Sequence, residues 1–597
     1  MIETIPQLFL NTVKSYLKND LLLYKEQGRY VPISTKEFSN YVQNLSLGLR
    51  DLGIKKGNKL ILLSENCPNW VISDLANLCL GGITVPVYPS LMPEQIKYII
   101  EDSDAEVVVC SSPELWQKIQ VIKKDLTKVK HYIVFFKDPP EEVFTLEQIM
   151  ERGEKVSREN PGLFEEMALK VEPEDDASIL YTSGTTGLPK GVILTHKNFI
   201  SNVKASLSII DITYKDTVLS FLPLSHVLER MVVFSYLYTG ASIAFAESLD
   251  TLAENLLEIR PNVMVSVPRV FEKIYSKVID NVLSSSPLKR KIFYWAVNVA
   301  KKCAERKLKK QSVPKALKLK MSIANKLVCS KILDKTGGRV RFFVSGGAPL
   351  AKDIAEFFYS IGLLILEGYG LTETSPVVSA NTFDNIKFGS VGKPIPGVEV
   401  KIAQDGEILV KGPNVMKGYY KKEEETREAF EGGWFHTGDI GHLDEDGILV
   451  ITDRKKDLIV TSGGKNVAPQ PIENILKTSP YISNAVVIGD KRRFMSALIV
   501  PDFEKLEEYA RFNNISFNSH TDLVKNDEIV RFIESEVDRR TPDLSPYEKI
   551  KKIALLNREF EIEKEEITPT LKVKRNIVEE KYKDLIDALY KEEQESS

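Results

Sequence analysis

The stretch Tyr181–Val192 reads YTSGTTGLPKGV, with three glycines, four serine or threonine hydroxyls and one lysine in twelve residues. Gly184, Gly187 and Gly191 allow tight turns that bring backbone N–H groups close to an anion, and Thr182, Ser183, Thr185 and Thr186 can donate to phosphate oxygens. Lys190 supplies positive charge. The short apolar runs ASIL before and VIL after are of strand type, so the spacing predicts a glycine-rich turn between two strands that cradles phosphate. It is not a Walker A loop, because Pro189 stands where that pattern needs its second glycine. Taken alone, the same string is also compatible with an ordinary flexible turn.

Outward from this loop, the chain has 597 residues, too many for one hydrophobic core, so two or more domains are expected. With 43% hydrophobic and 27% charged residues it is globular in composition, and a net charge of −3 carries no signal for nucleic acid. The five cysteines, Cys67, Cys79, Cys110, Cys303 and Cys329, are odd in number, widely spaced and without a CxxC pair. They argue against a disulfide framework and a structural zinc site, and point to a reducing cytoplasm. The N-terminal MIETIPQLFLNTVKSYLKND reads as an amphipathic helix rather than a signal peptide. No run reaches the roughly 18 to 20 apolar residues of a membrane span, so the expectation is a cytoplasmic protein, at most peripheral on the membrane face.

From Lys59 the text alternates KLILL, a helix over 69–80, ITVPVY, a helix over 93–101 and AEVVVC, a βαβαβ pattern that predicts a doubly wound parallel sheet. IAFA (243–246), VMVSVP (263–268) and RVRFFVSGGAPL (339–350) predict a second such sheet. Short alternating strands with glycine turns over 402–450 predict a small antiparallel barrel, and mixed strands and charged helices follow. The fold expected is therefore α/β: a large N-terminal part of two doubly wound sheets plus the barrel, residues 1–455, and a small α+β C-terminal part, 456–597. A basic helical insertion, 283–336, carries about fifteen Lys and Arg against Glu305 and Asp334, with Ile292, Phe293, Tyr294, Trp295, Leu317 and Leu327 among them. Three readings stay open for it: solvated basic faces, a surface lying on anionic lipid, and a groove for a polyanionic cofactor.

Further motifs bear chemistry. LPLSHVLER places His226 before an apolar helix. VSGGAPL contains Gly346, Gly347, Ala348 and Pro349, small residues that admit a flat ring close to the backbone. EGYGLTET supplies Tyr369, Gly370, Thr372 and Glu373: an aromatic face for a purine, a hydroxyl within reach of an α-phosphate and a hard oxygen ligand for Mg²⁺. A dinucleotide fingerprint is excluded there, since Glu373 occupies the position of its third glycine. FHTGD and ITDRKKD bring Asp439, an acceptor suited to two hydroxyls, and Arg454.

In this order and spacing the motifs resemble those of the adenylate-forming enzymes, the group of acyl-CoA synthetases, firefly luciferase and peptide synthetase adenylation domains. The resemblance assigns Thr182, Ser183, Gly184, Thr185, Thr186, Gly187 and Lys190 to the ATP phosphates, with Thr182 and Glu373 on Mg²⁺. It assigns Gly347, Ala348 and Pro349 to the adenine wall with Tyr369, Gly370 and Thr372 beside them, and Asp439 with Arg454 to the ribose clamp. His226 is implied to orient the substrate carboxylate between acyl pocket and nucleotide, with 226–238 and 263–270 lining that pocket. ITPTLKVKRNIVEE resembles the last family motif and selects Lys572 as the catalytic lysine, and Lys456 as the hinge about which the small domain turns. The turn would exchange the Lys572 loop for the face near TSGGKN, where Lys465 is implied to meet coenzyme A. The basic insertion and TPTLKVKR most resemble the long-chain fatty acid synthetases. The implied reaction joins a long-chain fatty acid to AMP from ATP and then to coenzyme A. An acyl-AMP ligase serving a carrier protein's phosphopantetheine arm is the alternative, and a non-catalytic nucleotide-binding membrane scaffold is the third reading.

Overall fold

The glycine-rich stretch closes a hairpin. In the computed structural model, which describes residues 2–182, 188–462, 465–568 and 572–591, strand Asp176–Thr182 runs antiparallel to Lys190–Thr195, with Thr182 opposite Lys190. Of the expected phosphate cradle, Ser183, Gly184, Thr185, Thr186 and Gly187 lie outside the described residues.

The βαβαβ pattern forms as read. Strands Lys59–Leu63, Ile83–Val87 and Val107–Cys110 pair in parallel, crossed over by helices Pro68–Cys79 and Pro93–Ser103. Each helix begins on a proline, whose missing N–H has no partner to lose in the first turn. Ile83–Val87 and Val107–Cys110 are buried along their whole length, which is why they read as continuous apolar runs rather than alternating ones. The hairpin, Gly418–Tyr419 and the strands His131–Val134 and Phe144–Thr145 complete an eight-stranded sheet. A second, nine-stranded sheet has a parallel centre of Leu22–Glu26, Ser242–Phe245, Thr217–Ser220, Val263–Ser266, Phe342–Ser345 and Leu364–Gly370, with antiparallel strands at both edges. One core joins helices of the first sheet, such as Trp70 and Leu75, to strands of the second, such as Ile243 and Phe343.

The short strands over 399–454 form a five-stranded antiparallel sheet whose backbone bonding leaves the expected barrel open. Its two ends meet through side chains instead: Val400 and Ile402 share a small apolar cluster with Leu449 and Ile451. From Ile459 onward the chain buries cores of its own around a three-stranded sheet, Ile482–Ile488, Met495–Pro501 and Ile550–Leu555.

The N-terminal helix, Ile5–Ser15, is capped by the Thr4 hydroxyl and turns Ile5, Leu8 and Phe9 into the main core. The basic insertion is helical, Pro287–Leu308 and Lys315–Ala324 followed by a wide turn and Ser330–Asp334. Its apolar residues divide in a way the sequence did not show. Phe293 is buried and Ile292 and Leu317 pack on the core, whereas Tyr294, Trp295 and Leu327 are exposed, joined by Leu288, Leu319 and Ile323. Among the described residues no helix is long and apolar enough to cross a membrane.

Candidate active site

A cleft of about 3110 Å³ opens between the carboxyl ends of the two sheets and the C-terminal part. Thr182 and Lys190, at the base of the glycine-rich turn, line it together with His226, Gly347, Ala348, Pro349, Tyr369, Gly370, Thr372, Glu373, Asp439, Arg454, Lys456 and Lys572. Residues spread over nearly four hundred positions thus share one space, and the local reasons can be followed piece by piece.

Asp439 and Arg454 face each other as register partners on antiparallel strands Trp434–Leu443 and Leu449–Arg454. The Asp439 carboxylate is 5% exposed; its Oδ1 accepts from Arg454 Nε at 3.1 Å and its Oδ2 from the Tyr369 hydroxyl at 2.6 Å. An ionised carboxylate offers about four acceptor sites, so two remain for a pair of hydroxyls. The bond also fixes the Tyr369 ring at the cleft wall, and burial beside Asp439 pushes its phenol well above the ordinary range. Gly347 has φ +81°, a left-handed conformation that favours glycine, which lets Ala348 and Pro349 turn outward onto the same wall.

Glu373 follows at the 3₁₀ turn Thr372–Thr374. Its Oε1 accepts from the Tyr419 hydroxyl at 3.1 Å, and the Lys190 ammonium stands over the Tyr419 ring, 5.2 Å from the centroid. Burial raises the Glu373 carboxyl above its usual value, more than the Tyr419 bond and Arg454 lower it. Tyr419 is thus the bridge between carboxylate and phosphate-loop stem.

His226 caps helix Val227–Thr239: its Nδ1 accepts the Leu228 N–H at 3.2 Å. That bond leaves the ring proton on Nε2, the side free to donate toward a carboxylate. Burial, with the Lys572 charge nearby, pushes its pKa down to about 4, so the ring is neutral at physiological pH. Beyond it the cleft runs into an apolar recess walled by Met231, Val232, Tyr236, Val265 and Val270, within the expected segments, and by Leu252, Leu256 and Ile274, outside them.

Lys572 sits in a small hairpin: its N–H donates to Thr568 Oγ1 at 3.0 Å, its carbonyl accepts from Thr568 N–H at 2.8 Å, and Ile567 pairs with Val573. Its side chain keeps contact with solvent while protein surrounds it. Enclosure and then the Arg454 guanidinium drive its pKa down to about 8, against the pull of Asp439 and Glu373. The direction is the part that matters: a cation held at some cost is one that gains when a polyphosphate arrives. Among the described residues it forms no salt bridge. The C-terminal part that carries it is held against the N-terminal part by Arg269, which donates to Ser483 O and Oγ at 3.0 Å each, and by Lys505, which pairs with Asp280 at 3.5 Å. Lys456 lies in the turn just after Arg454, and Lys465 does not line the cleft in this pose.

The family model for AMP-binding enzymes matches residues 13–420, and that for the AMP-binding enzyme C-terminal domain matches 456–594. The chain belongs to the AMP-binding enzyme family. It is 35% identical over 579 residues to the long-chain-fatty-acid--CoA ligase FadD15 of Mycobacterium bovis, covering 96% of this chain and 95% of that protein. Against the long-chain-fatty-acid--CoA ligase ACSBG1 of Bos taurus it is 32% identical over 632 residues, with 99% and 85% covered. The adenylation domain of a carboxylate reductase from Mycobacterium chelonae shares the fold, with TM-score 0.76, 22% identity and 98% and 91% of the chains covered.

As an AMP-binding enzyme the chain offers magnesium little of its own: among the described residues no three His, Cys, Asp or Glu side chains gather into a metal cage. That fits Mg²⁺, which keeps its waters and binds through one or two carboxylates plus substrate phosphates. Glu373, half-buried beside Tyr419, and the Thr182 hydroxyl are the oxygen donors at hand.

Several supports of this candidate site went unnoticed in the sequence. Glu407 accepts from Gly438 N–H at 2.9 Å, Lys455 Nζ at 2.9 Å and His436 Nδ1 at 3.1 Å, tying together the residues next to Asp439 and Arg454. Arg230, one turn beyond His226, forms a buried two-point pair with Asp74 and reaches Ser178, four residues before Thr182. A lone acid in GEILV and a lone Arg in HVLER carry no signal for such roles; the neighbours exist only in three dimensions.

Proposed function

We propose that this chain is an ATP- and Mg²⁺-dependent long-chain fatty acid–coenzyme A ligase that forms an acyl-adenylate and pyrophosphate, then an acyl thioester and AMP. The observation that carries the reading is the meeting, in one cleft, of the phosphate-loop stem, the Tyr369–Asp439–Arg454 clamp and Lys572 with an apolar recess behind His226.

Both reactants are anions, and two unit charges 4 Å apart repel by roughly 4 kcal/mol at an effective dielectric of 20. Lys572 and Lys190 offset that repulsion where the carboxylate oxygen attacks the α-phosphorus; as the new P–O bond forms, the bond to pyrophosphate breaks and pyrophosphate leaves. Bound magnesium supplies further charge on the polyphosphate, held by Glu373 and Thr182. Asp439 holds the ribose hydroxyls, Tyr369 covers the adenine, and the His226 Nε2–H donates to the acyl carboxylate. In the second step the coenzyme A thiol loses its proton to solvent, its sulfur attacks the acyl carbon, the acyl–oxygen bond breaks, and AMP departs with the electron pair. No protein nucleophile is needed. We assign the division between the two working parts to 455/456, with Lys456 as pivot, because the residues before it are tied to Glu407 while those after belong to separate cores.

A panel of saturated fatty acids, with ATP, magnesium and coenzyme A present, tests the reading. AMP and acyl-CoA should appear in equal amounts and rise with chain length into the long-chain range. AMP release indifferent to coenzyme A would instead favour the acyl-AMP ligase.

The insertion surface extends the proposal to a partner. Leu319, Ile323 and Leu327 stand exposed, as do Tyr294 and Trp295, on a segment of about fifteen basic and two acidic residues. Such a face suits anionic lipid, with rings at headgroup depth and lysines on the phosphates. Sedimentation with phosphatidylglycerol vesicles should therefore weaken as salt rises, and fall at least threefold for the Leu319→Ser, Ile323→Ser, Leu327→Ser variant, which withdraws three apolar side chains from the lipid without changing the charge. Binding unchanged by salt, lipid charge and these substitutions would remove the membrane partner.

A further inference from the structure

We infer that helix Pro93–Ser103 is a strut that sets the spacing between the phosphate loop and the Lys572 hairpin, with Gln95, Tyr98 and Asp102 as positioning residues. These three lie at i, i+3 and i+7, one face of a helix. Each of them makes a contact outside the helix, and the three contacts fall on the two loops that would grip ATP.

Asp102 and Tyr98 hold the stem of the phosphate loop from both sides. The Tyr181 hydroxyl, on the strand leading into the turn, donates to Asp102 Oδ2 at 2.6 Å. The Tyr98 hydroxyl donates to the Pro189 carbonyl, just before the strand leading out, at 3.1 Å. The two rings meet edge to face, 6.3 Å between centroids. Gly191 completes the fit: a Cβ there would stand 3.2 Å from Tyr181 Cζ and 2.7 Å from Ile179 Cγ2, so only glycine lets the Tyr181 ring lie across the hairpin. At the helix end Lys421 donates to the Asp102 carbonyl at 2.7 Å, and Tyr420 donates its N–H to Gly191 O at 2.7 Å and its hydroxyl to Asp104 at 3.0 Å. The helix, the hairpin and the segment bearing Tyr419 are thereby one unit.

The first turn of the same helix meets the C-terminal part. Gln95 is already set by its own helix: its Oε1 accepts the Met92 N–H at 3.0 Å, which turns its amide nitrogen outward to donate to Glu565 Oε1 at 3.0 Å. Glu565 stands at the root of the Lys572 hairpin. Next to it, fully buried Glu566 is held by Arg558 at 2.6 and 2.7 Å, by Lys581 at 3.0 Å and by the Tyr582 hydroxyl at 3.1 Å, and its carbonyl accepts the Lys574 N–H at 2.8 Å. The root is rigid, so a contact at Glu565 is felt at Lys572. When the C-terminal part swings away for the thioester step, Gln95 lets go and the phosphate-loop stem keeps its two tyrosine anchors.

The strut acts in adenylation only, and this rests on the adenylation reading above. The test is Gln95→Glu, which keeps an oxygen for the Met92 N–H but sets like charges against each other at Glu565. Fatty-acid-dependent exchange of labelled pyrophosphate into ATP should fall on the order of three- to fivefold, the size an exposed pair supplies. Thioester formation from supplied acyl-adenylate and coenzyme A should stay as it was. Adding Glu565→Gln restores a donor to face the new carboxylate, and exchange should recover. Tyr181→Phe should raise the KM for ATP in exchange. Equal loss in both half-reactions, no loss in either, or no recovery in the double variant would each overturn the strut. Failure of the adenylation reading is distinguishable, because the unaltered chain would then exchange no pyrophosphate at all.

Discussion

Lys572→Ala should cut acyl-adenylate formation by ~10²–10³-fold, the loss that follows removal of one donor aimed at developing negative charge. The same variant, given acyl-adenylate and coenzyme A, should make thioester at close to the normal rate, because that step releases AMP and has no pyrophosphate to stabilise. Lys572 acts through its charge rather than by positioning the substrate. Lys572 is enclosed beside Arg454, which brings its pKa down to about 8. With a depressed pKa the cation is complete well below pH 8 and is lost as pH rises through that value. The kcat/KM for ATP in pyrophosphate exchange, which reports the free enzyme, should therefore fall on the alkaline side from about pH 8. His226, neutral down to about pH 4, gives no limb between pH 6 and 7. Lys572→Arg should retain part of the activity and lose the alkaline limb, since a guanidinium stays charged. Equal damage to both half-reactions would take the adenylation role from Lys572; an alkaline limb that survives in Lys572→Arg would assign that titration to another group.

How much of this was legible in advance follows from the range over which residues act. The βαβαβ start was readable because each strand is a continuous apolar run and each helix opens on a proline, both local signals. Tyr369 and Asp439 were readable as candidates because an aromatic face and an acceptor-only carboxylate suit a nucleotide, whereas Lys572 was singled out only by the resemblance of its motif to the family's. Three kinds of information were out of reach. Distant polar partners, buried for Arg230 with Asp74 and exposed for Gln95 with Glu565, are separated by 156 and 470 residues, and nothing near either member announces the other. Helix phase was a second: in IFYWAV the apolar residues run on without a break, so the text alone does not say that Phe293 turns inward while Tyr294 and Trp295 face out. The third was closure of the barrel, since alternation predicts strands and faces but leaves open whether the first and last strands bond.

Arg230→Met should destabilise the N-terminal part by about 3–5 kcal/mol, the usual cost of leaving one member of a buried ion pair without its partner. Arg230 is 0% exposed and Asp74 1%. The guanidinium meets Asp74 at two points, Nε to Oδ2 at 2.8 Å and Nη2 to Oδ1 at 2.6 Å, and gives Nη1 to Ser178 Oγ at 2.5 Å. Phe199, Phe234 and Trp70 surround it, ring centroids 5.2, 5.7 and 5.9 Å away, so no water replaces what is removed. The pair joins helix Pro68–Cys79, which crosses over in the first sheet, to the helix that His226 caps over the second, and Ser178 lies on the strand leading to Thr182. Its loss should therefore loosen the seat of the phosphate loop as well as the core. Urea unfolding followed by tryptophan fluorescence should show a lower midpoint with an unchanged slope for Arg230→Met. In the double variant Arg230→Met, Asp74→Leu the orphaned charge is gone, and most of the stability should return, as it does when buried pairs are replaced by apolar side chains of similar volume. Pyrophosphate exchange should stay depressed in that double variant, because Ser178 still lacks its guanidinium partner. A double variant as unstable as the single would mean that packing around the Arg230 stem, rather than charge, holds the two sheets together.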